Sequence, residues 1–244
     1  MDKLMLILLL VFLVGFAVSL KRDDRIVHGF NANYEDFPYM VSMKFLKDGD
    51  TMFCGGTLIA DRWILTAAHC IFNIRLNNIK VYTGSGTIFQ NTQQKVEKLI
   101  PHEDYIPKVT GNDIGLIRLA SPVDGITFVE LESEKRNGTG ILVGWGFTEH
   151  RKESRKLQKL DVRYGNCPES FARALRFDSR NFICTSTENG KGACGGDSGG
   201  PLIDFNSKKQ IGVVSSGVPC AKGFPDVFTY IPKYLDWIKQ KMKK

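Results

Sequence analysis

Three short segments of this chain hold side chains able to break an amide bond, and they lie far apart along it. They are Thr66-Ala67-Ala68-His69-Cys70, Asn112-Asp113-Ile114-Gly115-Leu116 and Gly195-Gly196-Asp197-Ser198-Gly199-Gly200-Pro201. Amide hydrolysis needs a nucleophile, a proton shuttle and a stabiliser for the oxyanion. A serine hydroxyl is a poor nucleophile unless a base removes its proton during attack. An imidazole, with a pKa ordinarily near ~6.5, can accept and return that proton at neutral pH. The last segment has almost no side-chain bulk, so it builds little core but lets backbone amides and one hydroxyl approach a ligand closely. Each piece alone has a plainer reading: a glycine-rich turn, a structural histidine, an aspartate in a turn. All three in one chain make that coincidence hard to sustain.

Together the segments closely resemble the chymotrypsin/trypsin-like serine proteases, whose triad runs His, Asp, Ser along the chain, unlike subtilisins or α/β-hydrolases. The resemblance implies His69 as the base, Asp113 as the group that holds its tautomer, and Ser198 as the nucleophile that forms an acyl-enzyme. It places the oxyanion hole at the backbone N–H groups of Gly196 and Ser198, donors worth about 3–4 kcal/mol each in the transition state. It gives Asp197 a separate task. After cleavage following Arg25, the new ammonium of Ile26 would turn inward and pair with that aspartate, since a buried carboxylate without a cation is costly. His28 stands where the family usually has glycine, although the Ile26-Val27 start is intact.

Groups so distant in sequence need a rigid frame. Short apolar or alternating runs between turn residues recur at Val41–Phe45, Trp63–Leu65, Ile79–Tyr82, Gly115–Leu119, Ile141–Val143, Leu160–Val162, Pro201–Ile203 and Ile211–Val214. Many short strands without a long helical period predict an all-β sandwich or barrel pair. The family resemblance makes this two six-stranded antiparallel β-barrels, about 26–125 and 126–230, with the site between them. Ile231, Tyr234, Leu235, Ile238 and Met242 recur at helical spacing, so a short amphipathic helix is expected over 231–243.

The N-terminus speaks to compartment. Met1-Asp2-Lys3 precedes an apolar run from Leu4 to Val18, then the small residues of Ala17-Val18-Ser19. This is the pattern of a secretory signal over 1–19, shorter than the ~20 apolar residues of a membrane span; an uncleaved anchor is the alternative. Residues 20–25 look like an activation propeptide ending at Arg25, and 26–244 are the peptidase domain. Six cysteines in a secreted chain imply disulfides. Sequence alone leaves fifteen pairings open; the resemblance implies Cys54–Cys70, Cys167–Cys184 and Cys194–Cys220. No Cys-x-x-Cys or Cys-x-x-His spacing favours metal. No carboxylate lies between Asp61 and Glu97, where the family's calcium loop would find its ligands. No metal or cofactor is expected.

The net charge is +7. Residues 1–25 hold four of the cations and three of the anions, so a chain starting at Ile26 carries 29 against 23, net +6. That weakly favours acidic surfaces and gives no ground for a nucleic-acid function. The basic run Arg151, Lys152, Arg155, Lys156, Lys159, Arg163 reads as a solvated face. Asn137-Gly138-Thr139 is the only glycosylation sequon.

The specificity pocket departs from trypsin. Six residues before the serine, where trypsins have aspartate, stands Gly192; the opposite wall carries Asp226 in place of glycine. Ser215 keeps the hydroxyl that supports the triad aspartate, Gly217 keeps an open wall, and Ser216 replaces an aromatic platform. This exchange resembles arthropod chymotrypsins and related collagenolytic enzymes. A large apolar side chain gains about 25 cal/mol per Å² on entering such a slot, whereas a buried aspartate would welcome lysine or arginine. The expected activity is a secreted, monomeric serine endopeptidase made as a zymogen, cleaving after Phe, Tyr or Leu with basic residues tolerated. Its partners would be protein or peptide substrates, a trypsin-like activating protease and protein protease inhibitors, without membrane or nucleic acid. Strict Lys/Arg preference through Asp226, or a silent homologue that only binds, are the alternatives.

Overall fold

The computed structural model describes residues 26, 29–47, 49–90, 92–107, 111–147, 154–186, 190–217, 220 and 222–243. The signal segment 1–19, the propeptide 20–25 with Arg25, His28, and Arg151 and Lys152 of the basic run lie outside the described residues.

Two antiparallel sheets make the frame. The chain opens with a two-residue strand, β1 (Phe30–Asn31), that belongs to the second sheet. The first sheet follows with β2 (Met40–Lys47), β3 (Asp50–Ala60), β4 (Trp63–Thr66), β5 (Ile79–Thr83), β6 (Thr92–Gln94), β7 (Val96–Pro101) and β8 (Gly115–Leu119), in the order β6-β5-β2-β3-β4-β8-β7. Only Lys95 separates β6, which pairs with β5, from β7, which pairs with β8. The two act as one bent strand that joins the ends of the sheet, so the first barrel is six-stranded.

The second barrel comprises β9 (Gly138–Gly144), β10 (Gln158–Gly165), β11 (Phe182–Thr185), β12 (Pro201–Asp204), β13 (Gln210–Gly217) and β14 (Asp226–Tyr230). Strand β9 pairs with both β12 and β10, closing the ring β9-β10-β11-β14-β13-β12. Strand β1 lies along β10 with Phe30 opposite Lys159, and Ile26 is fully buried in the second barrel's core. The start of the expected N-barrel span therefore packs on the other barrel.

Side-chain alternation explains the strands. Along β10, Gln158, Leu160, Val162 and Tyr164 are buried while Asp161 and Arg163 are exposed, the period of two of a half-covered strand. Arg163 thus belongs to an outward face, and Arg155 and Lys156 are exposed just before it, in keeping with a solvated basic run. Central strands are less regular because both faces are covered. Leu65, Leu116, Val143, Val213 and Ile238 form one continuous cluster across the two barrels.

The C-terminus begins as a 3₁₀ turn over Ile231–Tyr234 and becomes a helix at Leu235–Met242. Earlier helical pieces are α1 (Ala68–Ile71) and α2 (Glu169–Leu175), making the C-terminal one α3. Tyr234 and Ile238 are buried, and Trp237 stacks on His102 with ring centroids 4.9 Å apart. The Trp237 indole N–H also donates to Glu103 at 2.7 Å. Thus α3 braces the segment that leads to Asp113.

Candidate active site

His69 rides on α1, one turn after β4, and Asp113 stands two residues before β8. Since β4 and β8 are neighbours, with Thr66 opposite Gly115, both loops leave the same edge of the first barrel. The His69 backbone N–H donates to Asp113 Oδ1 at 2.9 Å, and ring Nδ1 lies 2.8 Å from Oδ2. Ser215 comes from the second barrel and donates its hydroxyl to the same Oδ2 at 2.6 Å. The β13–β14 register shifts between Val214 and Ser216; such a bulge re-aims a side chain, and here it turns Ser215 toward the other barrel. An ionised carboxylate only accepts, so the ring proton sits on Nδ1 and Nε2 keeps its lone pair. Burial works to raise the Asp113 carboxyl. Electrostatic attraction to the His69 ring and the hydrogen bonds from His69 and Ser215 outweigh it and hold the pKa below the ordinary carboxylate value.

Ser198 lies on the Cys194–Gly200 turn, and its surroundings fix that turn against the histidine loop. Gly55 N–H donates to the Ser198 carbonyl at 2.7 Å, and Gly199 N–H to the Val214 carbonyl at 2.8 Å. Gly199 has φ +77°, and a Cβ there would sit 2.2 Å from Thr66 Oγ1 and 2.5 Å from the Gly55 carbonyl. Only glycine serves at that contact, which lies beside the residues leading into His69. Gly196 has φ +96°. The amides of Gly196 and Ser198 donate to no group among the described residues.

Asp197, fully buried, accepts from Gly146 N–H at 2.8 Å and Cys194 N–H at 3.0 Å. Burial pushes its carboxyl up to about 6 despite those two donors. Space for it comes from residues the sequence reading did not single out: a Cβ on Gly144 or Gly146 would lie 2.2 or 2.1 Å from its oxygens. Two glycines flanking a tryptophan just after an apolar run are the available signal. Thr229, whose hydroxyl donates to the Asp113 carbonyl at 2.7 Å, gives no such signal, because its partner is remote in sequence.

Beside Ser198 opens a cavity of about 170 Å³ lined by Ala193, Cys194, Gly195, Val214, Ser215, Ser216, Gly217 and Asp226. Asp226 is 3% exposed and accepts from Ala193 N–H at 2.8 Å. Its carboxylate fills the space a Gly192 side chain would need, 2.5 Å from a Cβ built there, and lies 3.2 Å from one on Gly217. Burial pushes its carboxyl up to about 7; Ala193 opposes this and the charge of Asp197 adds to it. Ser216 is exposed and offers no aromatic shelf.

All three disulfides pair as the resemblance implied: Cys54–Cys70, Cys167–Cys184 and Cys194–Cys220. Ligand atoms of Cys54, Cys70 and His69 fall within 4.8 Å of one another, but the two sulfurs are bonded together and offer no thiolate to a metal. Asn137 is exposed immediately before β9.

A protein-family model described as Trypsin matches residues 26–238. The chain belongs to the trypsin family. It is 36% identical to Chymotrypsin-2 of Vespa crabro, over 88% of this chain and 99% of that protein. It is 32% identical to a Collagenase of Hypoderma lineatum, over 90% and 88% of the two chains. It is 34% identical to Phenoloxidase-activating factor 3 of Holotrichia diomphalia, over 92% of this chain and 74% of that one. Among solved structures, HL collagenase at 1.7 Å resolution superposes with a TM-score of 0.76 at 30% identity, covering 90% of this chain and 99% of its own. This trypsin-family member is a serine-type endopeptidase with insect chymotrypsin-like and collagenase relatives.

Proposed function

We propose that the chain is a secreted endopeptidase made as a zymogen, using His69, Asp113 and Ser198 as its triad. In this reading His69 Nε2 takes the Ser198 proton as Oγ attacks the scissile carbonyl. Asp113 stabilises the imidazolium, and the Gly196 and Ser198 amides hold the oxyanion. The proton then passes to the leaving amine, and water hydrolyses the acyl-enzyme by the same route.

The observation that carries the reading is the grip on Asp113: a buried carboxylate held by two donors from His69 and one from Ser215, with the serine turn docked on the adjoining loop. Maturation follows from Asp197, which has no cation within ion-pairing distance among the described residues and is costly to ionise there. Cleavage after Arg25 frees an ammonium at Ile26, and the Trypsin match begins at that residue. The signal segment and three disulfides support secretion.

Cleavage after Phe, Tyr or Leu suits the apolar cavity walls, and chymotrypsin and collagenase relatives agree with it. A second reading, cleavage after Lys or Arg, is favoured by the carboxylate of Asp226 on that cavity. The test is to treat the secreted precursor with trypsin, sequence the new N-terminus, and profile cleavage of a peptide library. A chain starting Ile-Val that cleaves peptides, with Ser198→Ala inert, is expected. Equal cleavage by Ser198→Ala, or by the uncut precursor, would overturn the reading.

A further inference from the structure

We propose that Asp226 makes the specificity cavity a proton-gated selector, taking Lys or Arg side chains when its carboxyl is ionised and large uncharged side chains when it carries a proton. This rests on the endopeptidase reading above and adds regulation of the same site.

Geometry carries it. In trypsin-like pockets the acid comes from the 192 wall; here it comes from β14, on the opposite side, and is folded into the space Gly192 leaves. It is nearly sealed from water yet lines the cavity that opens beside Ser198. A residue entering that cavity must either neutralise the carboxylate with its own cation or meet it uncharged, because an isolated charge against an apolar side chain is costly.

Among the described residues, the surrounding elements supply no cation to settle the charge in advance. From β13 the wall is Val214, Ser215, Ser216 and Gly217, none of which titrates near neutrality. From β11, Thr185 is buried one residue beyond the Cys184–Val227 pair and brings only a hydroxyl. From the serine turn comes the Ala193 amide, and Cys194 is tied up in its disulfide. Asp197 is the titratable group whose charge reaches Asp226, and it is another acid. Burial and that neighbour place the switch at about 7 in the uncleaved chain. A cation arriving beside Asp197 on maturation draws it lower, so the selector operates across mildly acidic to neutral pH.

The test is the ratio of kcat/KM for matched peptides with Arg or Phe at the cleaved position, followed from pH 5 to pH 9 on the matured enzyme. Protonation of the catalytic base slows both substrates alike and cancels in the ratio. The Arg:Phe ratio should rise at least about tenfold between pH 5 and pH 8. Asp226→Asn, uncharged throughout, should give a pH-independent ratio. Without any variant, competitive inhibition by benzamidine should weaken at least about tenfold from pH 8 to pH 5 in the wild type. A constant ratio with both peptides cleaved would overturn the gate and leave the endopeptidase reading standing. Cleavage of neither peptide would overturn the endopeptidase reading, and the gate with it.

Discussion

Replacing Gly199 with alanine probes how the two halves of the site are joined. The residue sits at φ +77°, and its missing side chain points at Thr66 Oγ1 and the Gly55 carbonyl, 2.2 and 2.5 Å from an ideal Cβ. A left-handed backbone costs a non-glycine residue roughly 1–2 kcal/mol. Forcing a methyl into a filled contact costs roughly a further 1–3 kcal/mol, and the Gly55 carbonyl is backbone that no rotamer change can move. Together the cost is about 2–5 kcal/mol, large beside a typical ~5–15 kcal/mol of total stability. Gly125 supplies the control: it has φ +73° but nothing within 4 Å of a built Cβ, so alanine there meets only the backbone term. Urea unfolding of both variants with disulfides intact should show Gly199→Ala losing well beyond Gly125→Ala. Because Gly55 also donates to the Ser198 carbonyl, relief of the clash moves the serine. A displacement on the order of 1 Å costs about 10²-fold in kcat/KM, whereas Gly125→Ala should keep full activity. Equal stability and equal activity for the two variants would refute the packing argument.

Two further outcomes follow from charge. Ser215→Ala removes a 2.6 Å hydrogen bond to an ionised Asp113; bonds of that kind are worth about 1.5–3 kcal/mol, so kcat/KM should fall about tenfold or more, and an unchanged value would remove Ser215 from the site. In the uncleaved precursor, kept intact as Arg25→Gln, Asp197 and Asp226 titrate at about 6 and about 7, above their ordinary 3.8. Raised carboxyl pKa values mean that stability is complete below about pH 4 and is lost as pH rises through 6 to 7, by on the order of a few kcal/mol. The urea midpoint of the precursor should therefore drop between pH 5 and pH 8, and less so in the mature enzyme if the proposed Ile26 ammonium pairs with Asp197. A precursor equally stable at both pH values would contradict the burial of uncompensated acids.

Much of this is legible in the residue order. Strands such as β4, β8 and β12 announce themselves as apolar runs, and the serine turn does so through its glycines. Strand β3 is hidden because Gly55 and Gly56 interrupt it; both are required by close approach, Gly55 to the backbone of Gly200 and Gly56 to Ile64. Strand β14 and helix α2 escape the sequence reading as well. The sequence Asp-Val-Phe-Thr-Tyr begins with a residue poor in strand propensity, and the Asp226 carboxylate is held by the Ala193 N–H, a partner remote in sequence. Helix α2 is short and follows Pro168, giving too few turns for a period to show. Contacts between barrels, such as Ser215 on Asp113 or Thr229 on its carbonyl, join residues more than a hundred apart, and no local pattern encodes them. The seat of Asp197 between Gly144 and Gly146 is likewise visible only once the sheet is closed.

The most direct measurement is covalent labelling. The enzyme matured after Arg25 is treated with a peptidyl phosphonate, digested, and the adduct located by mass spectrometry, alongside His69→Ala and the uncut precursor. A single adduct on Ser198, formed rapidly by the mature enzyme and slowed strongly in both comparisons, is the predicted result. No adduct on Ser198 in the mature enzyme, or labelling at the same rate without His69, would contradict the proposed activation of the Ser198 hydroxyl by His69 and Asp113.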